Sequence, residues 1–172
     1  YTLGYVPTIS NPASVELEIF QQIPADSSGN PDYDYALRVL KARYLRKDET
    51  GKLIETPEQL FTRIAVHTVI PDLFYDVLTY DHTGSQIEHS YDDFNPKEYV
   101  GKLFIGKYSF NEYHIQAIRR LYRRFNREGK IKISFSKLIE LIIQNHFDHY
   151  EKAIDEFYTL LITKRFMPNT PA

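Results

Sequence analysis

The chain of 172 residues contains no cysteine and no tryptophan. Without thiols, these residues cannot form a disulfide framework, a thiolate zinc site or a cysteine nucleophile. No apolar run approaches the roughly eighteen residues that a membrane-spanning helix needs, and no basic segment followed by an apolar one marks a signal peptide. These absences predict a cytoplasmic protein without a membrane segment, in keeping with a reducing compartment.

The chain also has no large excess of charge of one sign, because 21 basic and 23 acidic residues leave a formal net charge of −2. Such a balance gives the whole chain no general attraction to nucleic acid or to an anionic membrane. Hydrophobic residues make up 42% of the chain and aromatic residues 15%. This composition is sufficient for one globular domain that buries a core without disulfide or metal support.

The first thirty residues carry little helical signal. The stretch SVELEIF, residues 14–20, alternates apolar and acidic side chains, and this period of two predicts a short strand or an extended arm. After a polar loop, Asn30 and Pro31 have the residue types of an N-cap and a first helical position. A helix is therefore expected from about residue 31, followed by a polar turn at residues 47–52.

The clearest local signal is ETPEQLF, residues 55–61. Thr56 has the character of an N-cap, Pro57 fits the first helical position, and Gln59 completes a capping box. Apolar residues then recur at helical spacing up to Val69. Pro71 is expected to end or kink this helix, and a second helical segment is expected to follow it.

Helices are also predicted for most of the second half of the chain. Residues 82–109 are polar and predict a long loop with a short hairpin. Helical patterns then cover residues 110–126, which end before Gly129, and residues 134–144, which begin at a cap on Ser134 or Ser136. A last helix is predicted for residues 148–163. The sequence therefore predicts a mostly α fold, a helical bundle with an extended amino-terminal arm.

The run IRRLYRRFNREGKIK, residues 118–132, carries seven basic side chains: Arg119, Arg120, Arg123, Arg124, Arg127, Lys130 and Lys132. Arginine forks match phosphate oxygens, and the neighbouring aromatic residues could stack on bases. The overall charge of −2 favours a solvated helix face or a surface for an acidic partner over nucleic-acid binding. Acidic residues at Glu88, Asp92, Asp93 and Glu98 could also neutralise it within the chain.

Histidine offers two further candidates. His146 and His149 lie one turn apart with Asp148 between them, a pattern that could share a metal, but no third ligand follows at a usual spacing. His67 lies near the apolar face of its helix and is interpreted as an interior histidine. On residue types alone, we assign no catalytic, cofactor-binding or metal-binding residue to this chain.

Two stretches resemble the large, catalytic subunit of ribonucleotide reductase. ALRVLKARYLRKDETGKLIETPEQLFTRIA, residues 36–65, is similar to its amino-terminal helical region. AIDEFYTLLITKRFMPNTPA, residues 153–172, resembles the segment where that family leaves its all-helical domain and enters a ten-stranded barrel. The sequences of both stretches are most similar to those of the adenosylcobalamin-dependent, class II enzymes, although class I large subunits share much of this sequence.

The residue pattern and the resemblance together predict a division of the chain into three parts. Residues 1–30 would form the extended arm, residues 31–165 the all-helical domain, and residues 166–172 the start of the first barrel strand. In the family, the residue that matches Thr170 contacts the substrate phosphate. This role suits threonine, because its hydroxyl and its backbone N–H can both donate to a phosphate oxygen.

The resemblance also implies an incomplete enzyme. The family reduces ribonucleotides with a cysteine thiyl radical, and the radical-bearing cysteine comes after the segment that matches Ala172. The chain is therefore expected to be inactive alone and to need a complementary barrel-containing chain. Adenosylcobalamin, or alternatively a radical-generating small subunit, is expected only in the complete enzyme. The competing hypothesis is a stand-alone helical interaction or nucleic-acid-binding module that uses the basic helix 118–132.

Overall fold

The computed structural model of the protein describes residues 37–91 and 94–163. The predicted arm 1–30, the predicted helix start at Asn30 and Pro31, and the predicted strand entry 166–172 lie outside the described residues. The chain divides into two compact units, Tyr1–Leu60 and Phe61–Ala172. Most described residues are helical, and the only strands among them form one short hairpin. The prediction of a mostly α fold is thus confirmed.

In the first unit, a helix ends and a tight polar turn follows. Residues 37–44 are helical, and their last turn, Leu40–Tyr44, is a π-helix. Beyond it, Lys47 and Leu53 form an isolated antiparallel bridge. The Asp48 carboxylate lies between them in the turn and accepts hydrogen bonds from the backbone N–H groups of Thr50 and Lys52, each at 2.9 Å. The predicted polar turn at residues 47–52 is therefore confirmed.

Helix α1, Pro57–Val69, starts at the predicted capping box. The Thr56 N–H donates to Gln59 Oε1 at 2.9 Å, and the Gln59 N–H donates to Thr56 Oγ1 at 3.3 Å. This pair satisfies two N–H groups that the start of a helix would otherwise leave without partners. The helix ends just before Pro71, and the four-residue helix α2, Asp72–Tyr75, follows, as predicted.

The polar segment after α2 holds the predicted hairpin. A 3₁₀-helix at Pro96–Tyr99 precedes strands β1, Phe104–Ile105, and β2, Tyr108–Ser109. The strands are antiparallel, with Ile105 opposite Tyr108. Phe110 continues the pairing, because its N–H donates to the Leu103 carbonyl at 2.9 Å. This hydrogen bond explains why the following helix begins two residues later than the sequence pattern predicts.

Helix α3, Glu112–Arg127, is the longest helix in the described part of the chain. Its predicted apolar face is buried, and the Tyr122 hydroxyl on that face donates to the Ile133 carbonyl at 3.0 Å. The helix ends at Arg127, and Gly129, which has φ +64°, terminates it two residues later. A Cβ atom added there would lie 2.5 Å from Gln86 Cα, so glycine suits both the backbone angle and the close approach.

Two further helices complete the second unit. Helix α4, Phe135–Ile143, begins at Ser134, whose Oγ accepts from the Lys137 N–H at 3.2 Å. Of the two candidates, Ser134 and Ser136, the N-cap is therefore Ser134. The predicted last helix is a 3₁₀ turn at Asp148–Tyr150 that leads into helix α5, Glu151–Ile162. The core of the second unit contains wholly buried side chains from the four helices α2 to α5 and from the hairpin and the residues beside it: Phe74, Leu103, Ile105, Phe110, Ile115, Ile118, Leu138 and Ile154.

The polar segment between α2 and the hairpin is fastened to the end of α3. Asn126 is buried, and its amide pairs with the backbone of His89 in both directions at 2.8 Å. The His89 ring nitrogen Nε2 lies 3.2 Å from the Ile131 carbonyl. Ile131 also pairs with Tyr80 in an isolated bridge. The segment is therefore a loop by its backbone but has fixed contacts to the helical core. In the described residues, no helix is long and apolar enough to cross a membrane.

Candidate functional site

Thr170, the substrate-binding residue that the resemblance implies, lies beyond Thr163, where the second described range ends. Its role as a phosphate ligand therefore stays a prediction. The structure does describe α5, the helix that precedes this segment in the chain, and the contacts that hold it. These contacts form two groups, one at the hairpin and one at α2.

The hairpin turn is bound to the amino-terminal end of α5 through acidic side chains. The Gly106 N–H donates to Asp148 Oδ1 at 3.0 Å, and the Lys107 N–H donates to Glu151 Oε2 at 2.8 Å. The Lys107 ammonium lies 3.0 Å from Asp155 Oδ1, which also accepts a hydrogen bond from the Tyr108 hydroxyl. Burial and this carboxylate raise the pKa of Tyr108, so its hydroxyl stays a donor.

The second group centres on the buried carboxylate of Asp76. Its Oδ2 accepts from the Tyr150 hydroxyl at 2.7 Å and lies 3.2 Å from His149 Nε2, while its Oδ1 accepts from the Leu78 N–H at 2.8 Å. Burial, the hydrogen bond to Asp76 and the nearby charge of Asp72 together raise the pKa of Tyr150. The phenol therefore stays protonated and joins the turn after α2 to the start of α5.

The structure shows the contacts of His149 and Asp148, two residues of the metal-binding pattern that the sequence suggested. His149 faces Asp76, and Asp148 accepts from the backbone of the hairpin turn. Across residues 37–91 and 94–163, no group of three His, Cys, Asp or Glu side chains could hold a metal ion. Neither Asp76 nor Tyr150 stood out in the sequence, because a carboxylate and a phenol 74 positions apart leave no local signal.

The interpretation of His67 as an interior histidine is wrong. His67 lies on the exposed side of α1, and the buried histidine is His114, which is 2% exposed. His114 Nδ1 accepts from the Asn111 N–H at 3.2 Å, so Nε2 is the protonated nitrogen that donates to the Arg63 carbonyl at 3.0 Å. Burial lowers the pKa of His114 to about 4, despite the opposing effect of the Arg63 hydrogen bond.

The basic run lies on α3 and on the residues that follow it. Arg120, Arg123, Arg124 and Arg127 are exposed. Glu128 Oε1 lies 3.1 Å from Arg124 Nε, and Glu128 Oε2 lies 2.7 Å from Lys130 Nζ. Part of the neutralisation expected from Glu88, Asp92, Asp93 and Glu98 is thus supplied by Glu128, which the sequence reasoning had not considered. Asp92 and Asp93 lie outside the described residues.

Comparison with known proteins places this chain in a family. Residues 32–172 match the family described as ribonucleotide reductase, all-alpha domain. The chain is also 33% identical over 138 residues to a vitamin B12-dependent ribonucleoside-diphosphate reductase of Thermoplasma acidophilum. The match covers 79% of this chain but 16% of that reductase, so the chain spans less than a fifth of its relative. No solved structure matches the chain. This chain belongs to the ribonucleotide reductase family, as the amino-terminal, all-alpha domain of a large subunit.

Proposed function

We propose that this chain is the amino-terminal part of a ribonucleotide reductase catalytic subunit, which reduces ribonucleotides to deoxyribonucleotides for DNA replication. The observation that supports this proposal most is the family match, which extends over residues 32–172. The described helices agree with an all-alpha domain. The complete enzyme would be an oxidoreductase that acts through a cysteine thiyl radical, and we place it in the cytoplasm.

The chain cannot carry such a radical, because none of its 172 residues is cysteine. We therefore propose that it is inactive alone and is completed by a barrel-containing chain that supplies the radical-bearing and redox-active thiols. Its own contribution would be a rigid support for the barrel and one substrate ligand, Thr170. The hydroxyl and the backbone N–H of that residue would donate to the substrate phosphate.

The contacts of α5 support this role. The hairpin holds one side of the helix start through Asp148 and Glu151, and the Asp76 carboxylate holds Tyr150 just before it. A helix fixed by several hydrogen bonds gives the following segment a defined starting point. Binding residues are placed more accurately by rigid elements than by mobile ones. The arrangement is therefore suitable for positioning Thr170 against a substrate held by the barrel.

The radical cofactor would belong to the completing chain. The name of the Thermoplasma relative specifies vitamin B12, so we propose adenosylcobalamin, which would supply the initial radical when bound. A radical-generating small subunit is the alternative. We assign this chain no cofactor-binding role.

Reconstitution tests the proposal. The chain is mixed with the proposed barrel-containing polypeptide, and complex formation is followed by size-exclusion chromatography with light scattering. Deoxyribonucleotide production is then measured with adenosylcobalamin and a dithiol reductant. We expect a complex, turnover by the mixture and none by either chain alone. Turnover by the 172-residue chain alone, or the absence of any complex, would contradict the proposal.

A further inference from the structure

One face of α3 carries four exposed arginines to which the proposed function assigns no role. Ile118, Tyr122 and Phe125 define the buried face of this helix. Arg120, Arg123, Arg124 and Arg127 lie on the remaining arc at the spacing of successive turns, and all four are exposed. We call these four residues the basic stripe. Lys130 and Lys132, both exposed, continue it beyond the end of the helix.

Ion pairs within the described ranges neutralise the basic stripe unevenly. Glu128 pairs with Arg124 and Lys130, both through exposed groups, and exposed ion pairs of this kind are weak and are screened by salt. Arg120 and Arg127 form no ion pair with any residue of the described ranges. Arg120 and Arg127 are therefore cations without a neutralising carboxylate in the described ranges, on a chain whose overall charge is slightly negative.

One aromatic ring contacts the stripe, and others lie near Lys130, which continues it. The Arg123 guanidinium lies 4.9 Å from the centre of the Tyr91 ring, which stacks on buried Tyr122. On the other flank, Tyr75 is 62% exposed, although it also contacts Phe125 edge-on at 5.3 Å between ring centres. Its second neighbour, Tyr80, pairs with Ile131, the residue that follows Lys130. Tyr75 is thus a supported ring with an exposed surface, and its cationic neighbour is Lys130.

We propose that the basic stripe and Tyr75 form a binding site for single-stranded nucleic acid. The arginines take the backbone phosphates, for which the guanidinium fork is well suited, and Tyr75 stacks on a base. Proteins that bind single strands without sequence preference combine these two features, a cationic track and aromatic rings on which bases stack. The exposed ring favours a single strand over an acidic polypeptide, which has no base to stack, and over a duplex, whose bases are already stacked.

The test uses the full 172-residue chain and a fluorescein-labelled oligothymidylate of about 20 nucleotides, longer than a typical site on one domain. Fluorescence anisotropy is measured at several sodium chloride concentrations. The stripe variant is Arg120→Gln with Arg127→Gln. The control is Lys102→Gln with Lys152→Gln, which removes the same charge from exposed positions elsewhere in the second unit. Circular dichroism confirms that each variant is folded.

The stripe and the tyrosine should respond differently to salt. Loss of two phosphate contacts lowers the slope of log affinity against log salt concentration by about 1.4, because each contact to a single strand contributes about 0.7. Tyr75→Ala should weaken binding about fivefold or more at every salt concentration and leave the slope unchanged, since stacking releases no counterions. The control pair should retain the slope of the unmodified chain.

Three results would overturn the proposal. The first is no rise in anisotropy at low salt, and the second is an equal loss of affinity in the control pair, which would indicate charge without a site. The third is competition by polyglutamate or by a free nucleoside triphosphate as effective as competition by unlabelled oligothymidylate. That result would assign the stripe to an acidic protein or to a mononucleotide.

Discussion

The Tyr150 hydroxyl donates a 2.7 Å hydrogen bond to the Asp76 carboxylate, although 74 positions separate the two residues in the chain. Asp76 is only 8% exposed. A buried carboxylate is costly unless hydrogen-bond donors compensate the loss of water. Tyr150, His149 and the Leu78 N–H provide these donors. The bond thereby couples the turn after α2 to the start of α5, the helix that leads toward Thr170.

Tyr150→Phe should lower the free energy of unfolding by about 1–3 kcal/mol, because it removes a hydrogen bond to a charged and buried acceptor. Urea denaturation followed by circular dichroism measures the change. The matched control is Tyr75→Phe, which removes a phenol hydroxyl from a largely exposed ring and should cost less than about 0.5 kcal/mol. Equal effects of the two substitutions would show that the Asp76 bond contributes nothing.

His114 predicts a loss of stability in acid. Its pKa is lowered from 6.5 to about 4 by burial. An unfolded chain therefore takes up a proton at this residue below about pH 6.5, whereas the folded chain does so only near pH 4. The stabilisation is present above pH 6.5 and is lost as the pH falls toward 4. One pKa unit corresponds to about 1.4 kcal/mol, so the loss should reach about 3 kcal/mol.

Comparison of variants separates His114 from the other titrating groups. Urea denaturation is repeated between pH 7 and pH 4 for the unmodified chain, for His114→Gln and for His146→Gln. Glutamine can still donate to the Arg63 carbonyl but does not titrate, so this variant should lose less stability on acidification. His146 is exposed, and its replacement should leave the pH dependence intact. A His114→Gln curve parallel to that of the unmodified chain would contradict the assignment.

Gly106→Ala should destabilise the chain more than Gly101→Ala. Both glycines have positive φ, +55° and +75°, and an alanine at such an angle costs about 1–2 kcal/mol. At Gly101 an added Cβ meets no atom within 4 Å, but at Gly106 it would lie 1.4 Å from Glu151 Oε2. The Glu151 side chain must then turn away and lose its hydrogen bond from the Lys107 N–H.

The difference between the two glycine variants measures this clash. It should reach at least about 1 kcal/mol, the net value of a typical hydrogen bond. Free energies of unfolding from urea denaturation provide it, because both variants share the backbone cost and differ in the contact with Glu151. If Gly101→Ala costs as much as Gly106→Ala, the contact between the hairpin and α5 is not tight.

Local signals made much of this fold predictable. The capping box at Thr56 and Gln59 and the break at Pro71 depend on residues within a few positions of each other, so a sequence pattern can show them. The buried face of α3 follows from helical periodicity in the same way. The two stretches that resemble the family, residues 36–65 and 153–172, also led to it, since they preserve the order of neighbouring residues.

The contacts that fix the candidate site were not predictable in this way. Asp76 and Tyr150, or Gly106 and Asp148, come together only through the fold, and each residue alone resembles an ordinary polar surface residue. His67 and His114 show the same limit, because both lie on helices beside apolar residues. Which of them is buried depends on the partner that covers each helix face, and periodicity within one helix does not identify this partner.

The last prediction concerns Thr170 in the proposed complex of this chain with a barrel-containing chain. Thr170→Val keeps the shape of the side chain and the backbone N–H but removes the hydroxyl donor to the substrate phosphate. Nucleotide affinity, measured by equilibrium dialysis, should fall by about 1–3 kcal/mol, the cost of losing a buried hydrogen bond to a charged group. Thr170→Ser restores the donor and should restore most of the affinity. Thr163→Val, at the exposed end of α5, should leave it unchanged. If Thr170→Val binds nucleotide as tightly as the unmodified complex, Thr170 is not a substrate ligand, whereas loss of the complex itself in this variant would assign the residue to the interface between the chains.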